Sequence, residues 1–105
     1  MRKIEFYTDL AGKQPCREWL DSMSDSNRQR VLAYITRVAL GGAKKNVRSL
    51  SDGVFEIKID RGPGFRVYFA QVRNVILLLL AGGDKSTQFQ DIQRSKFDWR
   101  SYEKK

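Results

Sequence analysis

Two rows of charge meet in the segment EIKIDRGPGFRVYF, residues 56–69. Successive side chains of an extended chain point to opposite faces, so Phe55, Ile57 and Ile59 share one face and Glu56, Lys58 and Asp60 the other. Beyond the turn, Phe65, Val67 and Phe69 alternate with Arg66 and Tyr68. A hairpin with this pattern carries a carboxylate, a lysine, an arginine and a phenol on one side of a rigid sheet. Fixed positive groups of that kind stabilise negative charge as it develops in a transition state. The competing reading is structural: cross-strand ion pairs on a solvated face, each contributing only ~0.2–1 kcal/mol.

The rest of the composition narrows the chemistry. The chain has 105 residues, 41% of them hydrophobic and 30% charged, which suits one globular domain with one core over residues 1–105. Twenty Lys+Arg against 12 Asp+Glu give a net charge of +8. Residues 1–52 and 53–105 each hold 10 basic and 6 acidic side chains, so no basic tail accounts for the excess. A positive field spread over a small domain favours a polyanionic partner, nucleic acid or an acidic protein. The chain contains no histidine, which removes Ser-His and Cys-His nucleophilic schemes and argues against a zinc site. Its single cysteine, Cys16, rules out an intrachain disulfide, fits a reducing cytoplasm and is expected to pack beside Trp19 and Leu20. MRKIEFYTDL breaks into charge before any apolar region forms, so no signal peptide is expected. The longest apolar run, Val75–Ala81, has seven residues, far short of the roughly 20 that span a bilayer.

The elements that must position the charged rows follow from periodicity. RKIEFY predicts a short strand over residues 2–7, and a turn follows at Asp9–Lys13. Pro15 suits the first turn of a helix continued by Cys16, Trp19, Leu20 and Met23. SDSN at residues 24–27 ends it and caps a second helix over Arg28–Leu40, which Gly41–Gly42 stop. A basic loop, Ala43–Arg48, leads to three strands at about 54–60, 64–70 and 74–81. VILLLL lacks polar alternation, so the third should be covered on both faces. Asp84 or Ser86 is placed to cap a last helix through about Phe97, with Phe89 and Ile92 facing inward, while Trp99 and Tyr102 anchor the terminal segment. The order implies an α+β fold with helices on a mostly antiparallel sheet.

LSDGVFEIKIDRGPGFRVYF, LLLLAGGDKSTQ and the DI that follows together resemble the RelE/ParE toxin superfamily, in particular its addiction-module killer, or HigB-like, branch. The resemblance is strongest over Leu50–Ile92. It implies an N-terminal strand, a helical hairpin, a three-stranded antiparallel extension and a C-terminal helix. It also implies the toxin of a bacterial type II toxin–antitoxin pair: a metal-independent, cofactor-free mRNA endonuclease working on the ribosome. Its expected partners are mRNA, the ribosome and a helix-turn-helix, HigA-like antitoxin that carries it to operator DNA. The same fold also supports ParE-like inhibitors of DNA gyrase, and copies that act only in operon repression.

Carried over position by position, the resemblance assigns Arg66 to phosphate and transition-state binding. Lys58 either shares that role or, crowded by Arg61 and Arg66, takes the proton. Lys85 falls near the leaving group, and Arg61 is a substrate contact. Glu56 stands where such toxins often carry a further lysine, and serves as proton acceptor or as the partner of Lys58 or Arg66. Asp91 lies about where they place a C-terminal tyrosine or histidine. Tyr68 either stacks on a base or packs within the sheet, and Lys44, Lys45 and Arg48 either track an RNA backbone or form an exposed loop.

Overall fold

A computed structural model describes residues 1–60 and 62–104. Strand β1 (Lys3–Phe6) is followed by helices α1 (Pro15–Asp21) and α2 (Asp25–Ala39) and a 3-10 turn (Lys44–Asn46). Strands β2 (Val47–Ser49), β3 (Phe55–Ile59), β4 (Phe65–Val72) and β5 (Ile76–Gly83) come next, then a second 3-10 turn (Lys85–Thr87) and helix α3 (Gln88–Glu103). The five strands form one mixed sheet in the order β1-β5-β4-β3-β2, with β1 parallel to β5 and the other pairs antiparallel.

Local chemistry explains the boundaries. Pro15 opens α1, and the Ser24 hydroxyl caps α2 by accepting from the Asn27 amide at 3.3 Å. At the other end of α2, Gly41 adopts φ 93°, and the amides of Gly42 and Gly41 donate to the carbonyls of Arg37 and Val38 at 2.7 and 2.9 Å. That pair of bonds closes the helix in a Schellman motif. Arg73 and Asn74, both at positive φ, make the tight β4–β5 turn, and the Val75 amide donates to the Val72 carbonyl at 2.9 Å.

The sheet separates two apolar clusters. Phe55, Ile57, Ile59, Phe65, Val67 and Phe69 meet α1 and α2 through Cys16, Leu20, Val31 and Ile35. Burial pushes the Cys16 thiol up to about 12, so it stays protonated packing matter. On the opposite face Tyr68, Ala70, Leu78 and Leu80 meet Trp99, with Ile92 and Tyr102 of α3 packed alongside. β5 is thus covered on both sides, as its unbroken apolar run requires.

Several expectations are corrected here. Val47 and Arg48, expected in the loop Ala43–Arg48, form edge strand β2 together with Ser49. Asp84 caps the second 3-10 turn, accepting from the Ser86 amide at 2.8 Å, while Thr87 occupies the N-cap of α3 and its hydroxyl accepts no capping bond from the helix amides. α3 continues past Phe97 to Glu103, and it leaves Phe89 76% and Phe97 59% exposed. Its inward positions are taken by Ser95, Asp98 and Trp99. Because α3 lies on the face that carries Glu56, Arg66 and Tyr68, these three are buried, while Arg48 and Lys58 on the same face stay exposed.

Two consecutive glycines at the end of β5 let helices approach from opposite sides. A Cβ on Gly82 would overlap the Trp19 ring of α1, and one on Gly83 would overlap the Asp91 carboxylate and lie 2.6 Å from Thr87 Oγ1. Gly82→Ala is therefore expected to destabilise the fold by ~1–3 kcal/mol, the usual cost of overpacking a core. Thermal unfolding followed by circular dichroism should show a correspondingly lower Tm; an unchanged Tm would mean that α1 shifts without cost.

Candidate functional site

The register across the sheet builds the site in rungs. Arg48 on β2 pairs with Glu56 on β3, which pairs with Tyr68 on β4; one rung further, Lys58 pairs with Arg66, which pairs with Gly83 on β5. All these side chains share the face covered by α3, and near the β2 edge α3 ends and the face opens. An open cleft of about 360 Å³ lies there, with four cations, Lys45, Arg48, Lys58 and Arg66, around the single carboxylate of Glu56.

Glu56 is the hub. Its side chain is 1% exposed, and its oxygens accept from Arg48 Nε and Gln88 Nε2, each at 2.9 Å. Arg66 Nε stands 3.6 Å from Glu56 Oε2, within ion-pair range but too far for a hydrogen bond, and it has no hydrogen-bond partner among the described residues. Arg66 Nη1 donates to the Gly64 carbonyl at 2.9 Å. One buried carboxylate thus orients two guanidinium groups and ties down the first residue of α3. Lys58 is more than half exposed and reaches Asp60 at 3.8 Å, while its own carbonyl accepts from Asn46 Nδ2 at 2.8 Å. That bond holds the 3-10 turn bearing Lys44 and Lys45 against β3.

The remaining candidates are distributed around this centre. Tyr68 is wholly buried, so its ring has no accessible face for a base, and its hydroxyl has no hydrogen-bond partner among the described residues. Burial and the nearby charges of Glu56 and Asp91 raise its pKa and keep it neutral. Asp91 sits beside Gly83, accepts from Thr87 Oγ1 at 2.6 Å, and has a pKa raised by burial. Lys85 lies in the exposed turn after β5, next to Asp84, a carboxylate that feels the charge of Arg66. Lys44 points away from the cleft, into a pocket on the opposite face of the sheet. Arg61 lies outside the described residues. Among the described residues no three metal-ligating side chains come together, and no helix is long and apolar enough to cross a membrane.

The sequence pattern missed Gln88 and the Glu56–Arg48 bond. The first depends on the rotation of α3 and the second on the unexpected strand β2. The double glycine was the usable signal, since glycine at a strand end marks close approach of another element.

A second polar cluster lies under α3 away from the cleft. Asp98, buried beside Tyr7, Asp9 and Arg94, accepts from Arg94 Nε at 3.2 Å, and Arg94 also reaches Asp9 at 3.8 Å. Burial raises the Asp98 pKa above the ordinary 3.8, with Arg94 opposing the shift and Asp9 adding to it. The native state therefore binds this proton more tightly than the unfolded chain. The resulting stabilisation is complete below the ordinary value and is lost as pH rises through the native one. Asp98→Asn should flatten this slope: the Tm of the parent relative to the variant should climb as pH is lowered from 7 towards 4. Parallel Tm profiles would remove Asp98 as the source.

The five-stranded mixed sheet clad by helices on both faces is consistent with a general α+β toxin-like fold. The model of the phage-derived Gp49-like protein family (DUF891) matches residues 18–100, a span that includes every residue of the cleft. The chain belongs to this family, one of RelE- and toxin-like proteins. It is also 39% identical over 79 residues, 74% of this chain and 79% of the other, to an uncharacterised protein of Haemophilus influenzae.

Proposed function

We propose that this protein is the toxin of a bacterial type II toxin–antitoxin pair, of the HigB-like kind, and that it cuts mRNA on the ribosome. The observation that carries the reading is the cleft itself: a buried Arg66, braced by a buried Glu56, beside the freer cations Lys58, Arg48 and Lys45. RNA can supply its own nucleophile. The 2′-oxygen forms a bond to the adjacent phosphorus, the bond from phosphorus to the 5′-oxygen breaks, one proton leaves the 2′-hydroxyl and one arrives on the 5′-oxygen. The protein must then place positive charge on the phosphorane and move two protons.

In this reading Arg66 binds the phosphorane, and Lys58, mobile enough to reach the ribose, handles the 2′-proton. Glu56, with both oxygens engaged, positions Arg66 and Arg48. Lys45 and Arg48 hold the RNA backbone along the β2 edge, Arg61 adds a contact from the β3–β4 turn, and Lys85 serves the leaving oxygen. Asp91, bound to Thr87, sets the start of α3. The net charge of +8 supports a polyanionic target. Family membership supports a cognate antitoxin, for which the helix-turn-helix HigA-like type is proposed, with operator DNA bound through it.

Adding the purified protein to a bacterial cell-free translation reaction, with and without ribosomes, and mapping mRNA ends by primer extension tests the proposal. Ribosome-dependent cuts at fixed codon positions are expected. Intact mRNA together with loss of gyrase supercoiling would replace it with the ParE-like reading.

A further inference from the structure

On the other face of the sheet from the cleft lies a pocket of about 240 Å³ between the end of α2 and the strands. Its walls are Val38, Val47, Phe55 and Phe69, with the two phenylalanine rings stacked at 5.4 Å, and the Schellman glycines form part of its rim. Two cations, Arg2 and Lys44, also line it, and no acidic residue does. Arg2 donates to the Gln71 side chain and the Val38 carbonyl, each at 2.5 Å. Both partners are neutral, and a guanidinium has five N–H donors, so capacity for an anion is left over. Lys44 makes no ion pair among the described residues.

We infer that this pocket binds a hydrophobic side chain flanked by a carboxylate, presented by an acidic segment of a partner protein. The charge of the rim selects the acid, because two cations without counter-ions gain from an incoming carboxylate and repel a basic segment. The walls select the side chain. Val38, Val47, Phe55 and Phe69 are aliphatic and aromatic and would leave polar edges of a nucleobase against them unpaired, whereas an aromatic or branched aliphatic group matches them, with the polar groups Arg2, Lys44 and Gln71 kept for the carboxylate side. Since the pocket and the cleft lie on opposite faces of the sheet, a partner held here need not enter the cleft.

Backbone amide NMR titration with blocked dipeptides tests the inference without any readout of RNA cleavage, so it stands or falls separately from the endonuclease reading. Acetyl-Trp-Asp-amide is expected to shift the amides of Arg2, Val38, Val47, Phe55 and Gln71, and acetyl-Trp-Asn-amide to bind about tenfold more weakly, the effect of losing one charged contact. Lys44→Glu, an exposed change in a surface turn, should weaken the acidic peptide by a similar factor and spare the neutral one. Equal binding of the two peptides would overturn the anion requirement. Tighter binding of adenosine monophosphate would make the pocket a nucleotide site, and shifts scattered away from it would dismiss it as a site.

Discussion

Replacing Arg66 with alanine is expected to cut ribosome-dependent mRNA cleavage by at least ~100-fold, the size of effect seen when a preorganised partner of transition-state charge is removed. Arg66→Lys should recover little, because an ammonium has no planar fork to span both Glu56 and a phosphate. The arginine is nearly buried, so the alanine variant should also lose ~1–3 kcal/mol of stability as Glu56 gives up one of its partners. Lys58→Ala separates the two effects. Its side chain is over half exposed and its ion pair with Asp60 is long, so stability should hold while cleavage falls. Cleavage rates from primer-extension time courses, set beside urea unfolding, give both numbers for each variant. A folded Lys58→Ala or Arg66→Ala protein that cuts at the parent rate would dismiss the cleft as the reaction centre.

Glu56→Ala should be the most destabilising single change in the site, by ~3–5 kcal/mol, because it strands a buried guanidinium and releases Gln88 from the sheet. Glu56→Gln is the informative partner experiment. It keeps an oxygen for one donor and removes the charge, so a positioning carboxylate predicts a partial loss of both stability and rate. A ~100-fold loss of rate with unchanged stability would instead make Glu56 the group that accepts the proton.

Much of this arrangement was legible in the chain. The alternation in residues 55–69 placed Glu56, Lys58 and Arg66 on one face because a strand has only two faces and the apolar residues occupy the other. The glycine pair after α2 and the serine before it marked that helix for equally local reasons. What stayed hidden depends on α3. Its buried stripe includes Ser95 and Asp98, and of the two residues expected inward Ile92 packs against the sheet while Phe89 faces solvent. The alternative of cross-strand ion pairs on a solvated face stayed open for want of a known covering element. A surface lysine and a buried arginine look alike in a strand pattern until the covering element has been oriented, and here long-range packing decides that orientation. β2 was missed for a different reason: three residues are too few to show alternation.

The parallel partnership of β1 with β5 bears on the order in which the sheet assembles. Lys3 pairs with Ile76 and Phe6 with Leu79, so β1 has no edge to join until β5 has formed. The β3–β4–β5 meander can close through short turns, whereas β1 must close a loop spanning most of the chain, a high-contact-order step that comes late. Docking of β1 is therefore expected to complete the sheet at the edge opposite the cleft, after the strands that carry Glu56, Lys58 and Arg66 have already paired.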